Sequence, residues 1–333
     1  MFSKIMDRFY YGKSGKADYT HADLPKNRID LFFTTLKVRW SSMAMLNLVY
    51  ALFWLPAFMI VMGAVSQWLN ALNSVQALIE ESQILAEESI AIVQSFQNSL
   101  LLQTLLKLIP AIFITGPASV GLAYNLRNWA RDEHAFVWSD AWDSIKSNWK
   151  QALGISAISS VLPAILYISF RFYGDLGKNN MLMLLPQVLV VLAGIAWVLG
   201  SVFFYYLIVN YKLRFADVLR NGLLLSIARL PQVVGVKLLQ AIPMLITILI
   251  AALSNIQYAI VFFSLYYAVF GLVLSRFIAA SFSNACFENI INPRIEGAPS
   301  NIGLRSKEYA DLEEELDKND TDNDVYINLE DEQ

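Results

Sequence analysis

Six long apolar segments constrain this chain more than any other feature of its sequence. They run approximately over residues 43–62, 100–124, 152–170, 181–209, 231–253 and 258–281. About 20 apolar residues are enough to cross a bilayer as a helix. In hydrocarbon each segment must be helical, because every backbone polar group has to be bonded internally. The sequence therefore predicts an all-α, polytopic membrane protein with about six transmembrane helices.

Composition supports the membrane class and argues against several kinds of site. Hydrophobic residues make up 56% of the chain and charged residues only 16%, whereas soluble proteins carry about 25% charge. The single cysteine, Cys286, excludes an internal disulfide, and two histidines, His21 and His134, offer little material for a transition-metal site. We expect no cofactor, no nucleic-acid partner and no enzymatic activity; the lipid bilayer is the expected partner.

Lys and Arg are distributed very unevenly between the two sides of the predicted bundle. Eight lie in residues 1–40, four between spans two and three, and four between spans four and five. The connections on the opposite side carry two in total, which are Arg171 and Lys178. Because connections rich in Lys and Arg stay in the cytoplasm, both termini are predicted to be cytoplasmic and the protein to lie in the cytoplasmic membrane.

Three regions follow from this topology. Residues 1–42 form a cytoplasmic N-terminal segment, residues 43–285 form the membrane domain, and residues 286–333 form a cytoplasmic tail that is acidic and predicted to be disordered after residue 304. The outer segment 63–99 has apolar residues at helical spacing with glutamates between them. A solvated helical extension of spans one and two is the favoured interpretation, with a ligand site as the alternative.

The connection at residues 138–153 is strongly amphipathic. Its apolar face repeats at spacings of four, three, four and four through Trp138, Trp142, Ile145, Trp149 and Leu153. Lys146 and Lys150 lie on the other side. Tryptophans opposite lysines are typical of a helix lying in the membrane interface. Docking onto a cytoplasmic partner is the alternative.

A second cytoplasmic connection, residues 214–229, has a similar build. Its segment from Asp217 to Arg220 echoes the segment from Asp143 to Lys146, and an asparagine and a new span follow each one. The two connections are a faint indication of an internal repeat. Arg220, like the Trp and Lys residues of the first connection, is a candidate contact for a partner or the interface.

The stretch TGPASVGLAYNLRNWARDEHAFVWSD, residues 115–140, combines small residues with a charged cluster. Pro117 is predicted to kink span two, and Gly116 and Gly121 permit close helix packing. Glu133 and His134 are adjacent, but no HExxH pattern follows them. The cluster is therefore predicted to be a junction where a helix meets the membrane interface, and a catalytic or metal site is the minor alternative.

The six predicted spans contain no Asp or Glu and only three charged residues, Lys107, Lys237 and Arg276. Each lies close enough to a predicted end for its long side chain to reach the interface, which is the favoured interpretation. The alternative is that they face a polar pathway. The lack of carboxylates disfavours a carboxylate-based proton relay.

Several stretches resemble the YesL-like bacterial integral membrane proteins, a domain of unknown function. They are FYYGKSGKADYT, DLPKNRIDLFF, residues 114–140, SNWKQ, NGLLLSIARLP and LSRFIAASFSNACFENIINPRIEGA. The resemblance covers roughly residues 1–305. It implies a polytopic protein of the bacterial cytoplasmic membrane, often encoded beside carbohydrate uptake systems, and it offers no binding residues to transfer.

Two functional hypotheses follow. The first is a non-enzymatic accessory or assembly factor for carbohydrate uptake, which contacts subunits of an ABC transporter through its cytoplasmic helices. The second is a stand-alone transporter or channel for a small solute, with proline-broken helices around a polar pathway. A cavity within the membrane would favour the second hypothesis, and a densely packed core would favour the first.

Overall fold

The computed structural model describes residues 24–81, 86–298 and 301–305, without the side chains of residues 86–88, and this part of the chain is helical with no strands. The predicted disorder of the tail beyond residue 305 lies outside these residues. The helices are α1 (Arg28–Val38), α2 (Trp40–Glu80), α3 (Ala86–Phe113), α4 (Thr115–Trp129), α5 (Val137–Gly177), α6 (Leu184–Gly200), α7 (Phe204–Asn210), α8 (Phe215–Ala228), α9 (Leu230–Leu253), α10 (Ile256–Tyr266) and α11 (Leu272–Ile290).

Six helical segments of the described chain are long and apolar enough to cross a membrane, as predicted. They are α2, α3, α5, α6 with the short 3₁₀ turn before it, α9, and the continuous run from α10 through α11. Between 6% and 22% of the residues in their most apolar stretches are buried inside the protein. Low burial with high hydropathy is what lipid-facing helices require, and the chain is an all-α, multi-pass membrane protein.

The second predicted span, residues 100–124, is not one helix. Helix α3 ends at Phe113, and α4 begins at Thr115 after a turn at Ile114. Pro117 has no backbone N–H to donate to the carbonyl of Phe113. The hydroxyl of Ser156 donates to that carbonyl instead, at 2.8 Å. The interruption is the single turn residue Ile114, which keeps helical dihedrals (φ −66°, ψ −17°) and donates to the carbonyl of Pro110 at 3.3 Å. The kink at Pro117 stays a prediction.

The fourth predicted span, residues 181–209, is also interrupted. Helix α6 ends at Gly200 and α7 begins at Phe204, with a turn over residues 201–203. The hydroxyl of Ser283 donates to the carbonyl of Val202 at 3.1 Å. No proline lies at this point, and this explains why the sequence pattern missed the interruption.

A third irregularity lies in the last span, where residues 267–271 form a π-helical turn between α10 and α11. Asn47, which is fully buried, bonds this turn from α2. Its amide nitrogen donates to the carbonyls of Tyr267 and Ala268 at 3.0 and 2.7 Å, and its oxygen accepts from the backbone N–H of Val273 at 2.9 Å. One side chain thus satisfies three backbone groups at the bulge.

Residues 138–153 are not a separate helix lying along the membrane surface. They are the first part of α5, which continues without interruption for 41 residues to Gly177. Since nothing between Trp149 and the apolar segment breaks the helix, the tryptophan face runs straight into the transmembrane part. Residues 214–229, by contrast, contain the distinct helix α8, which ends at Ala228, three residues before Pro231.

The largest buried side chains belong mainly to the short helices and to the segments around them. Trp129, Phe203, Phe204, Tyr206 and Phe277 are each less than 2% exposed. Helices α4 and α7 pack against each other and against α11, so the core lies at one end of the bundle, between the transmembrane helices and the connections rich in Lys and Arg. The long helices extend away from this core toward lipid.

The predicted orientation is testable with cysteines at exposed positions on opposite ends of the bundle. In a Cys286→Ser background, we expect Gln76→Cys to react with a membrane-impermeant maleimide in intact cells. Ser147→Cys should react only after permeabilisation, because the Lys- and Arg-rich ends stay inside. Both native side chains are exposed. The opposite labelling pattern would show that the orientation is inverted.

Candidate functional site

The three helix irregularities surround one cavity of about 420 Å³. Its walls come from α2, the α3–α4 break, α5, the α6–α7 break, α9 and the π-helical turn with α11. Its polar lining residues are Tyr50, Thr115, Ser156, Ser159, Ser201, Tyr205, Lys237, Gln240, Ser275 and Arg276. Interrupted helices at membrane depth are tolerated where they line a cavity, and this arrangement fits that rule.

Hydrogen bonds organise the wall contributed by α4. The hydroxyls of Tyr50 and Ser119 are 2.7 Å apart. Ser119 also bonds the carbonyl of Thr115 at 2.8 Å, and the Thr115 hydroxyl donates to the carbonyl of Ile112 at 2.7 Å. This chain of bonds links α2 to the first turn of α4 across the break.

Lys237 and Arg276 both line this cavity, as the alternative interpretation of a polar pathway requires. The ammonium of Lys237 donates to the hydroxyl of Ser201 at the α6–α7 break, at 3.0 Å. The guanidinium of Arg276 lies over the ring of Tyr205, 5.2 Å from its centroid. A charge at the centre of a transmembrane helix costs about 2.5–3.5 kcal/mol, so ionisable residues within spans are hypotheses for a functional site. Lys107 is exposed on α3 and is not part of the lining.

An apolar cavity of about 430 Å³ adjoins this polar cavity. The two share Trp54, Ile112, Tyr267 and Leu272 as lining residues. The rest of the apolar wall comes from α2, α3 and α10 and carries aliphatic and aromatic side chains such as Phe58. The polar cavity is therefore next to a space suited to hydrocarbon.

The small residues of α4 allow it to approach α5 closely. A methyl group on Gly116 would lie 2.7 Å from the carbonyl oxygen of Ala152, and one on Gly121 would lie 3.1 Å from the carbonyl oxygen of Ala141. Pro117 lies one residue beyond Gly116 in the first turn of α4. These three residues set the distance between the first break and the α5 wall of the cavity.

The charged cluster at the end of α4 forms structural contacts. Arg127 donates to the carbonyl of Val209 at 2.7 Å, and Arg131 donates to the side-chain oxygen of Asn210 at 2.5 Å. Burial and the nearby Arg127 lower the pKa of Arg131. Among the described residues no group of three His, Cys, Asp or Glu side chains is placed to hold a metal ion. The two arginines join the ends of α4 and α7.

The first and the last described segments of the chain both lie close to this charged junction. Arg28 of α1 forms an ion pair with Glu288 of α11 and donates to the carbonyl of Ile302 at 2.9 Å. Gly303 has a φ of +75°, and a side chain there would collide with the carbonyl of Arg131. The resembling stretch DLPKNRIDLFF and the residues near 303 are therefore in contact.

The aromatic face at the start of α5 is exposed. Trp138, Trp142 and Trp149 are 54%, 58% and 45% exposed. Lys146 lies over the ring of Trp142 and Lys150 over that of Trp149, at 5.5 and 5.6 Å. The lysines are thus beside the tryptophans rather than on an opposite face. Arg220 is exposed on α8.

No sequence pattern marked the residues that bond at the breaks, above all Ser156, Ser201, Ser283 and Asn47. Single polar residues are common in transmembrane helices, and nothing in their spacing distinguishes those that contact a distant backbone. The available signal was the pairing of a small residue with a neighbouring proline or serine, as in Gly116–Pro117 and Gly200–Ser201.

The sequence model of a protein family described as "Protein of unknown function, DUF624" matches residues 43–170. This stretch runs from α2 through most of α5 and includes the first break and the charged junction. It is less than half of the chain, and the YesL-like resemblance stays a prediction. No curated protein and no solved structure matches the chain.

The tight contact between α4 and α5 yields a stability prediction. We expect Gly116→Ala to lower the unfolding temperature in detergent, at a cost of about 1–3 kcal/mol, because the Ala152 carbonyl belongs to the helix backbone and resists displacement. Gly235→Ala is the matched control. It lies in α9 with open space around it and should be neutral or slightly stabilising, since alanine favours helix. Equal effects of the two substitutions would contradict a special packing role for Gly116.

Proposed function

We propose that this protein is a small-solute transporter of the cytoplasmic membrane, with the polar cavity as its solute site. The observation that supports this proposal is the meeting of two broken helices and a π-helical turn around a cavity lined by hydroxyl, amide and cationic groups. Discontinuous helices at a shared site are typical of secondary transporters. The proposed role is non-enzymatic.

The order of elements supports a repeated build for such a transporter. A transmembrane helix, a break, a short buried helix and an amphipathic helix follow one another twice, first as α3, α4 and the start of α5 and then as α6, α7 and α8. In each case a later helix bonds the break: Ser156 of α5 bonds Phe113, and Lys237 of α9 bonds Ser201. Paired units of this kind can move relative to each other around a common site.

The unequal distribution of Lys and Arg supports an orientation with both termini in the cytoplasm. In this orientation the core formed by α4 and α7 lies toward the cytoplasm. Lys237 lies seven residues beyond Leu230, the first residue of α9, or about 10 Å along the helix. The proposed solute site is then within the membrane but nearer its cytoplasmic face.

Solute flux is the direct test. Proteoliposomes would be incubated with a defined mixture of monosaccharides, disaccharides and small organic acids, and the internal solutes measured by mass spectrometry. We expect at least one solute to enter faster than into protein-free liposomes. Ser275→Phe should reduce this uptake severely, because Ser275 lines the cavity and a ring would fill part of it.

Val188→Phe is the matched control for this test. Val188 lies in α6 with 54% of its surface exposed, so the same ring would face lipid. Its uptake should equal that of the unsubstituted protein. Uptake no faster than in empty liposomes for every solute would count against transport.

A second candidate is an accessory or assembly factor for carbohydrate ABC-type uptake, as the YesL-like resemblance implies. The observation that favours it is the exposed aromatic face of Trp138, Trp142 and Trp149, because exposed tryptophans are enriched at protein interfaces. The membrane interface is an equally suitable environment for this face.

The accessory role predicts loss of a partner on charge reversal. We expect Lys146→Glu with Lys150→Glu to reduce co-purification of ABC-transporter subunits several-fold after gentle extraction from the native host. Lys178→Glu, at the opposite end of the bundle, is the control and should retain them. Recovery of the unsubstituted protein without such subunits would leave the accessory role without support.

A further inference from the structure

Two positive charges in the polar cavity have no negative partner in the protein. The ammonium of Lys237 bonds a neutral hydroxyl, and the guanidinium of Arg276 lies over a neutral aromatic ring beside Tyr50. The lining formed by the described residues contains no Asp or Glu. Both residues line the same cavity of about 420 Å³.

Removing a cation from water without a counter-charge is unfavourable, and a second cation beside it adds to the cost. A hydroxyl or a ring face compensates only part of the lost hydration. The six predicted spans, residues 43–62 included, contain no Asp or Glu. Within the described part of the chain, no side chain therefore supplies a negative charge to the cavity, and a bound anion would supply it.

We propose that the cavity binds an oxyanion, a carboxylate, phosphate or sulfate group, between Lys237 and Arg276. This inference deepens the proposed function and rests on it in taking the cavity as the solute site. A guanidinium presents a planar set of donors that matches two oxygens of such a group, and an ammonium adds a compact charge.

Neutral groups of the lining can add hydrogen bonds to such a ligand. The hydroxyl residues Tyr50, Ser156, Ser159, Ser201 and Ser275 line the same cavity as the two cations. A hydroxyl can donate to an anionic oxygen, so this lining suits a ligand rich in negatively charged oxygen.

The adjoining apolar cavity indicates what the oxyanion is attached to. Because it shares Trp54 and Tyr267 with the polar cavity, a ligand can place its charged group near Arg276 and its hydrocarbon part beside Phe58. A soluble organic acid and an anionic phospholipid both have this chemistry. The experiment must separate these two sources.

The test measures unfolding temperature in detergent after delipidation, at constant ionic strength. Sodium phosphate, sodium sulfate and sodium benzoate are titrated against sodium chloride. We expect at least one of them to raise the unfolding temperature in a saturable way. Lys237→Gln should weaken this apparent affinity by about tenfold or more. Lys107→Gln, which removes an exposed lysine outside the cavity, should leave the affinity unchanged.

A parallel experiment uses nanodiscs that contain phosphatidylglycerol or only phosphatidylcholine, with bound lipid counted by native mass spectrometry. Retention of phosphatidylglycerol that depends on Lys237, without an effect of the soluble salts, would identify the oxyanion as a lipid headgroup. Arg276→Lys provides a second variant, because it keeps the charge and removes the planar set of donors.

The results also separate this inference from transport. If no salt and no anionic lipid binds in a manner that depends on Lys237, the oxyanion site is overturned. Stabilisation by a neutral sugar alone, unaffected by Lys237→Gln, would also overturn it while leaving a solute site in place. Anion binding without flux into liposomes would establish the oxyanion site and contradict transport.

Discussion

Backbone groups in the bilayer cannot form hydrogen bonds with water. A backbone group that is freed where a helix is interrupted therefore needs a hydrogen-bond partner from another part of the chain. This constraint explains the most unusual contacts of the protein. Ser156 bonds the carbonyl freed at Phe113, Ser283 bonds that of Val202, and Asn47 bonds three groups around the π-helical turn. The breaks are stable because these side chains come from helices that pack beside them.

Once the breaks are bonded in this way, a polar cavity follows from their position. The interruptions in the α3–α4, α6–α7 and α10–α11 segments all face the same space. Of the side chains that bond them, Ser156 also lines this space, whereas Ser283 and Asn47 lie outside its lining. Lys237 bonds the side-chain hydroxyl of Ser201 at the second break, and this contact holds a charge at the cavity. The contact between Lys237 and Ser201 therefore joins two helices and also places a charge at the cavity.

The charged residues at the C-terminal end of α4 have a different role, which is to connect helices. Arg127 and Arg131 tie α4 to the end of α7, and the amide of Asn284 donates to the carbonyl of Arg127 at 3.2 Å. Burial raises the pKa of Tyr211 to about 12, so its hydroxyl remains protonated and donates to Asn292. These contacts hold the short helices at one end, and the cavity lies at their other end. Short helices that are fixed at one end and line a cavity at the other are consistent with a binding role.

Much of the architecture was predictable, because hydrophobic length is a local property. The six spans, the all-α class and the absence of carboxylates from the spans follow from the order of residues alone. The interruptions of the helices were harder to predict from the sequence. Pro117 marked the first only approximately, and the second, after Gly200, had no proline at all. The amphipathic segment at Trp138 was correctly seen as helical, but its continuity with the transmembrane part of α5 was not predicted.

The sequence by itself determined that this chain crosses a membrane several times and carries three charges in its apolar spans. Whether each charge faces lipid, water or the interior depends on which helices are neighbours, and this is a tertiary property. Lys107 is exposed, whereas Lys237 and Arg276, on different helices, line one cavity. A long side chain can turn either way from its helix. Only the contacts with Ser201 and Tyr205 direct the two cations inward.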